Sequence, residues 1–456
     1  MTPILSLRGY SYAWPGAPSW TLREVDLEVN PGECHCLMGG TGSGKSTLAL
    51  AVKGLLPAGR QGGNLLLNRA GGEDSVAVGL VMQNPETQLL AETVGAEVAF
   101  GLENLCRPPQ EMTQRVTQAL ATAGLNLPLD HPTSRLSMGQ KYRLLIAAHL
   151  VLGPALLIFD EPGGQLDSPG LRCLSALIAE LKEKGLAVLL CDHRSQELAG
   201  VIDRFWQLTE AGGLAAGAMP LEPAPPLPGA LPPLPLSRKS LVEVTNLEVD
   251  ADDGAPAWAG ISFTLQEGER AVLCADNGAG KTTLLRCLAG FIAPRRGSVK
   301  IFGDSPKPEK LRGKLGFLVQ NPLRQLFETT VFDEVSFVLR RTGAANATLS
   351  ARVERILQLC DIAHLARSSP HQLSYGQKHL VALAAVLVAE PRLLLLDDPF
   401  AGLDGRYLSR VSQLLVNLNE EKGTTLLWTT HDRGSFPSWV HRRMTIEGRS
   451  LVSSFC

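Results

Sequence analysis

The chain repeats itself. Lys45 and Lys281 stand 236 residues apart, Gln83 and Gln320 stand 237 apart, and His193 and His431 stand 238 apart. Leu136-Ser-Met-Gly-Gln140 recurs as Leu373-Ser-Tyr-Gly-Gln377, and Asp160 recurs as Asp397, both at a separation of 237. One such pair arises easily by chance. Five in the same order with a drift of two residues imply one ancestral domain copied in tandem. Whatever one copy folds into, the other must fold into as well.

The spacing predicts a first domain over 1–212, a linker over 213–239 and a second domain over 240–456. Pro220–Leu236 holds eight prolines and almost no charge, so it reads as an extended tether. At about 3.1 Å per residue it spans roughly 50 Å, enough to join two domains lying face to face. Within each copy, short apolar runs such as Ala77–Met82, Leu156–Phe159 and Ala187–Cys191 alternate with helical patterns such as Gln140–Leu152 and Leu171–Glu183. This is the punctuation of an α/β domain with a mostly parallel sheet. Helical periodicity without strong strands over about 85–135, and again over 322–372, predicts an inserted helical subdomain in each copy.

Composition excludes several partners. Lys and Arg total 43 against 45 Asp and Glu, so there is no excess positive charge to neutralise a nucleic-acid backbone. The nine cysteines lack the two-residue gap of a zinc knuckle or redox pair, and read as small buried apolar residues in a reducing compartment. The longest apolar stretches are interrupted by His149, Gly153 and Pro154, and by Glu390, Pro391 and Arg392, so neither spans a bilayer. No basic flank precedes an apolar core at Met1-Thr2-Pro3-Ile4, which predicts no secretory signal and leaves a membrane role peripheral.

Gly39-Gly40-Thr41-Gly42-Ser43-Gly44-Lys45-Ser46 fits the phosphate-binding pattern G-x-x-x-x-G-K-[ST], after a strand-like run and before a helix-like one that opens at Thr47. Glycines there turn backbone N–H groups towards phosphate oxygens, Lys45 reaches the terminal phosphates, and the Ser46 hydroxyl can ligate Mg²⁺. The second copy, Ala275-Asp276-Asn277-Gly278-Ala279-Gly280-Lys281-Thr282 followed by Thr283, keeps the Gly-Lys-Thr end but has alanine at the first glycine position. A Cβ there restricts the loop if that position requires positive φ.

Asp160 closes the run Leu156-Leu-Ile-Phe159 and is followed by Glu161, which puts two carboxylates at the C-terminal edge of a buried strand. Asp160 is expected in the Mg²⁺ shell and Glu161 is expected to orient or deprotonate the attacking water. An isolated Asp-Glu pair reads equally well as a helix N-cap; the phosphate loop upstream favours the site. Gln83 and His193 follow further strand-like runs, Gln83 directed at metal and water and His193 at the γ-phosphate, and both recur as Gln320 and His431.

Leu136-Ser-Met-Gly-Gln140 and Leu373-Ser-Tyr-Gly-Gln377 resemble the signature motif of ATP-binding cassette (ABC) ATPases, and with the phosphate loops the resemblance covers both halves. It implies the P-loop NTPase fold of the ABC ATPase type, twice over, each copy with a mixed or parallel sheet core and a helical subdomain. It also implies intramolecular pairing of the two cassettes, with each signature helix touching the γ-phosphate of ATP held by the opposite half, where a helix N-terminus favours negative charge. Tyr12, about a hairpin ahead of the first phosphate loop, looks like the aromatic that stacks on adenine.

A narrower match lies in Gln83-Asn-Pro-Glu-Thr-Gln88 and Gln320-Asn-Pro-Leu-Arg-Gln325, followed by Glu97-Val-Ala-Phe-Gly101 and Glu334-Val-Ser-Phe-Val338. These resemble the ATPase of energy-coupling factor (ECF) importers, which take up vitamins or transition-metal ions. The resemblance implies integral membrane partners, a transmembrane coupling protein and a substrate-binding subunit, and a peripheral position on the cytoplasmic face of the cell membrane. The competing reading is a soluble tandem cassette protein acting on ribosomes or DNA, disfavoured by the net charge of −2 and the proline-rich linker.

With shared sites, site one combines Lys45, Ser46, Gln83, Asp160, Glu161 and His193 with Ser374, Gly376 and Gln377, and fits the family throughout. Site two combines Lys281, Thr282, Gln320, Asp397, Asp398 and His431 with Ser137, Gly139 and Gln140. It departs at Ala275, at Val249 where the aromatic is expected, and at Asp398 in place of the catalytic glutamate. One missing methylene withdraws the carboxylate by on the order of 1 Å, and a misplacement of that size can cost about 100-fold in rate. Site one is therefore expected to carry most turnover and site two to bind ATP and hydrolyse it slowly.

Overall fold

The computed structural model describes residues 2–40, 42–68, 76–83, 85–164, 166, 168–192, 197–209, 211–217, 239–250, 256–276, 278–321, 324–343, 346–403, 405–431, 439–447 and 450–455. Thr41, His193, Asn277 and all of the expected linker from 218 to 238 lie outside the described residues. The chain divides into two compact units, Met1–Leu221 and Glu222–Cys456.

In the first unit β1 (Leu5–Ala13), β2 (Leu22–Val29), β3 (Cys34–Met38), α1 (Lys45–Lys53), β4 (Arg60–Leu67) and β5 (Val78–Val81) precede the helical insert α2 (Val94–Asn104) and α3 (Pro109–Thr122). Then come α4 (Met138–Leu150), β6 (Leu156–Asp160), α5 (Ser168–Glu183), β7 (Ala187–Cys191), β8 (Arg204–Leu208) and β9 (Leu214–Gly217). A six-stranded sheet runs β5-β6-β7-β3-β8-β9, parallel except for its last strand. Strands β3, β5, β6 and β7 are buried at every position, as their unbroken apolar runs require of strands covered on both faces. A separate antiparallel sheet, β2-β1-β4, lies before and around the phosphate loop in sequence.

The second unit repeats this order: β10 (Ser240–Asp250), β11 (Pro256–Gln266), β12 (Arg270–Cys274), α6 (Lys281–Leu288), β13 (Arg296–Ile301), a short α7 (Pro308–Leu311) and β14 (Leu315–Leu318). It continues with α8 (Val331–Arg341), α9 (Asn346–Leu359), α10 (Tyr375–Leu387), β15 (Leu393–Leu396), α11 (Gly405–Lys422), β16 (Thr425–Thr430), β17 (Arg442–Glu447) and β18 (Ser450–Phe455). Its sheets are β14-β15-β16-β12-β17-β18 and β11-β10-β13, the same two topologies.

Each six-stranded sheet is mostly parallel, as expected, and each unit adds an antiparallel three-stranded sheet. One expectation changes. The boundary at 212 cuts a hairpin, because β9 pairs with β8 from Leu208↔Leu214 to Phe205↔Gly217, so the first domain's sheet continues to Gly217. Helices α2 and α3 lie within 85–135, and α8 and α9 within 322–372, of which residues 322, 323, 344 and 345 lie outside the described set. Among the described residues no helix is long and apolar enough to cross a membrane.

Candidate functional site

Each phosphate loop joins the central strand of its six-stranded sheet to the following helix: β3 to α1, and β12 to α6. Gly44 and Gly280, the residues before the two lysines, have φ of 104° and 84°. That left-handed backbone is why the pattern needs glycine there. Lys45 is buried and its Nζ donates to the carbonyls of Gly39 and Gly40 at 2.7 and 3.1 Å. Lys281 donates to Ala275 and Asp276 at the same 2.7 and 3.1 Å. Gly42, Gly278 and Ser46 lie at the surface, Thr47 is buried in the first turn of α1, and Thr282 and Thr283 are half-buried.

The expected restriction at Ala275 does not materialise. Ala275 is absent from the residues with positive φ, and its carbonyl still meets the lysine. A Cβ on Gly39, by contrast, would lie 2.5 Å from the Ser43 Oγ. The second copy has Ala279 at the position of Ser43, which removes the hydroxyl, but a Cβ on Gly39 would also lie 2.8 Å from the Leu208 carbonyl oxygen, a backbone contact that this change does not relieve.

Past the sheet edge lie the carboxylates. In the first unit the Ser46 hydroxyl bonds the Asp160 carboxylate, and Gln83 Nε2 donates to Glu161 Oε2 at 2.7 Å. Lys45 Nζ stands 3.5 Å from Glu161 Oε1. Burial pushes the Glu161 carboxyl up to about 7, with Lys45 opposing and the nearby charges of Asp160 and Asp192 adding to the rise. In the second unit Thr282 and Thr429 hydroxyls donate to the two oxygens of Asp397 at 2.6 and 2.8 Å. Burial also raises Asp160 and Asp397, with these hydroxyl bonds opposing it. Asp398 pairs with His431 Nδ1 at 2.7 Å, while Gln320 is exposed. Glu161 and Asp398 both adopt left-handed backbone, φ 51° and 47°, a conformation that costs a non-glycine residue about 1–3 kcal/mol.

Each signature serine caps a helix. Ser137 and Ser374 share φ −64° and ψ 162°, and each forms a capping box with the glutamine three residues on. Gln140 Oε1 accepts from the Ser137 N–H at 2.9 Å and Gln377 Oε1 from the Ser374 N–H at 3.0 Å. The boxes begin α4 and α10 and so place a helix N-terminus, which favours negative charge, at each signature motif. The glycines differ. A Cβ on Gly139 would meet nothing within 4 Å, whereas one on Gly376 would fall 2.8 Å from the Tyr407 ring.

The sequence matches the ABC transporter family over residues 22–164 and 258–401, one match in each unit. The chain belongs to the ABC transporter family. A Bacillus subtilis relative provisionally named the HMP/thiamine import ATP-binding protein YkoD is 31% identical over 98% of this chain and 91% of its own length. A Bifidobacterium longum protein provisionally named ABC transporter ATP-binding protein BL0043 is 32% identical over 94% of this chain. The alignment spans 63% of that longer protein. A solved structure, cbiO1 from Clostridium perfringens, described as part of the ABC transporter complex cbiONQ, is 32% identical over 47% of this chain and 87% of its own, with a TM-score of 0.44.

ABC transporter ATP-binding proteins are ATPases coupled to transport, and ABC ATPase domains bind ATP. For Mg²⁺ the hard oxygens of Ser46 and Asp160, and of Thr282 and Asp397, are the right donors. Asp160 Oδ1 is buried without a hydrogen-bond partner among the described residues, which fits a cation ligand.

The ABC reading of Tyr12 needs correction. Tyr12 is 0% exposed, its hydroxyl donates to the Pro57 carbonyl at 3.1 Å, and a Cβ on Gly59 would lie 2.9 Å from its ring. A side chain enclosed in this way cannot stack on a base. Trp14, two residues on, is 38% exposed and sits edge-on to Tyr12 at 5.6 Å. Val249 likewise is core, paired with Trp258 as Tyr12 is with Leu22, so it is not where an aromatic was lost.

The residues of the narrower match hold loops. Gln88 accepts from the Met82 N–H and donates to the Leu80 carbonyl, and Gln325 does the same with Val319 and Phe317. Glu97 accepts from the N–H groups of Leu90 and Ala91, and Glu334 from those of Phe327 and Glu328. These clamps leave Leu90 69% exposed and Phe327 58% exposed at equivalent positions. Two residues escaped the sequence reading. In the second unit Thr429 donates to the Asp397 carboxylate and accepts from the Asp398 backbone N–H, and in the first Asp192, fully buried, accepts from the Gly163 N–H.

Proposed function

We propose that this chain is the ATP-hydrolysing motor of a membrane importer of the energy-coupling factor type. It works at the cytoplasmic face of the cell membrane, where ATP-dependent closure of its two cassettes drives uptake of a vitamin or a transition-metal ion. The observation that carries the reading is the link from the hydrolytic carboxylate to an apolar surface. Glu161 is held by Gln83, and the segment that Gln83 opens leads through the Gln88 and Glu97 clamps to exposed Leu90, with Phe100 also exposed nearby in sequence. Apolar side chains held out by a hydrogen-bonded loop are what a partner's membrane-proximal helices need. The relative named for HMP/thiamine import supports uptake over export.

In this reading the nucleotide of site one lies between the Lys45 loop and the Ser374–Gly376–Gln377 helix, and that of site two between the Lys281 loop and the Ser137–Gly139–Gln140 helix. Glu161 accepts a proton from the attacking water, His193 and His431 face the γ-phosphates, and Trp14 stacks on adenine. Mg²⁺, when bound, neutralises charge building on the β- and γ-phosphates.

The test is purification of the tagged chain from membranes of its own host. Small hydrophobic membrane proteins should accompany it and support ATP-dependent uptake in liposomes, and Leu90→Glu with Phe327→Glu should release them while ATP binding persists. Ribosomal RNA or DNA as the companion would overturn the reading.

A further inference from the structure

Asp192 is 0% exposed, in a region that already holds the buried carboxylates of Asp160 and Glu161. A third carboxylate in such a place is costly unless hydrogen bonds compensate it. Its Oδ2 accepts from the Gly163 backbone N–H at 2.9 Å. The backbone is pinned beside it: Cys191 O accepts from the Glu161 N–H at 2.7 Å, and the Asp192 N–H donates to Leu37 O at 3.1 Å. Two successive residues at the end of β7 thus hold the N–H groups of residues 161 and 163, on either side of the turn that keeps Glu161 at φ 51°. Gly163 is matched to the carboxylate, because a Cβ there would lie 2.8 Å from Asp192 Oδ2.

The second unit lacks both partners. Thr430 stands in place of Asp192 and Phe400 in place of Gly163. Phe400 packs edge-on to Trp428 at 6.4 Å, and the Asp398 N–H is held instead by the Thr429 hydroxyl at 3.0 Å. The glycine and the aspartate therefore occur together in the first unit and are absent together from the second.

We propose that Asp192 is a positioning residue for hydrolysis in the first cassette, its carboxylate fixing through Gly163 the turn that presents Glu161 to the attacking water. The inference rests on the reading that Glu161 serves hydrolysis at site one. Asp192 acts through the backbone and does not touch the nucleotide.

The experiment measures kcat and KM for Mg-ATP on the full-length chain in Asp192→Ala, Asp192→Asn, Gly163→Ala and the Asp192→Ala/Gly163→Ala double variant, beside Glu161→Gln. Asp192→Ala should lower kcat about 10-fold with KM within about 2-fold. Asp192→Asn, which keeps an acceptor oxygen, should recover to within about 3-fold of wild type, and Gly163→Ala should add no further loss to Asp192→Ala. Wild-type kcat in Asp192→Ala, or equal impairment of the Asn and Ala variants, would overturn the proposal. If Asp192→Ala does not fold, Gly163→Ala decides. Reduced kcat at unchanged KM supports the role, and unchanged kcat removes it. Turnover surviving in Glu161→Gln would sink the underlying reading of the site. Turnover lost there but kept in Asp192→Ala would sink the role of Asp192 alone.

Discussion

Gln83 donates its Nε2 hydrogen to Glu161 at 2.7 Å, whereas the corresponding carboxylate of the second unit, Asp398, is engaged at 2.7 Å by His431. The first carboxylate is therefore tied to the segment that leads into the helical insert, and the second to its own sheet edge.

The first prediction follows from that tie. Gln83→Ala cuts the connection between the exposed Leu90 surface and Glu161, so stimulation of ATP turnover by membrane partners should fall while KM for ATP stays within about 2-fold. Comparing ATPase rates with and without partners in liposomes checks it. Undiminished stimulation would remove Gln83 from the path.

pH dependence gives the second. The Glu161 carboxyl rises from 4.5 to about 7, chiefly through burial. An acid with a raised value keeps its proton longer in the folded chain, so between these values the folded state binds more protons and stability falls as pH rises. A group that takes a proton from water must first lose its own, so turnover should climb about 10-fold from roughly pH 6 to 8. Glu161→Gln should lose the climb and should melt above wild type at high pH, with the gap closing towards acid. Turnover independent of pH would contradict the assignment.

A third prediction separates the two aromatics. Trp14→Ala should weaken ATP binding by about 1–3 kcal/mol, the usual worth of a base stacked on an aromatic ring. Tyr12→Phe should leave affinity unchanged and cost about 1 kcal/mol of stability through its lost bond to Pro57. Nucleotide titration followed by tryptophan fluorescence, together with thermal melting, measures both.

Tyr12 shows what sequence can and cannot convey here. An aromatic in the right stretch was legible, but Trp14 lies just past the end of β1, and the choice between it and Tyr12 turns on what Gly59 and Pro57 bring over the Tyr12 ring. The phosphate loops, the carboxylates and the signature caps were legible because their chemistry demands fixed residue types at fixed spacing. Helix α4 starts at Met138 rather than Gln140, since the Ser137 cap sets its start and an apolar pattern marks only its buried face. Strand β4 escaped notice because it is largely exposed and carries glycines at positions 62 and 63. Asp192 has no periodic signal, and its partner lies 29 residues upstream.

The proposal that each ATP site draws on both cassettes yields a fourth prediction. Ser374→Arg should abolish turnover although Lys45, Asp160 and Glu161 lie in the other cassette, whereas Ser137→Arg should spare most turnover and lose retention of ATP at site two. Each change also removes an N-cap worth about 0.5–2 kcal/mol, so melting curves accompany the rates. Equal effects of the two would argue against sites built from both cassettes.

The unequal pair of carboxylates is tested most directly by steady-state ATP turnover in Glu161→Gln beside Asp398→Asn. Glu161→Gln should fall by about 100-fold or more while Asp398→Asn keeps most of the wild-type rate. Loss of turnover in Asp398→Asn with near-normal turnover in Glu161→Gln would contradict the account.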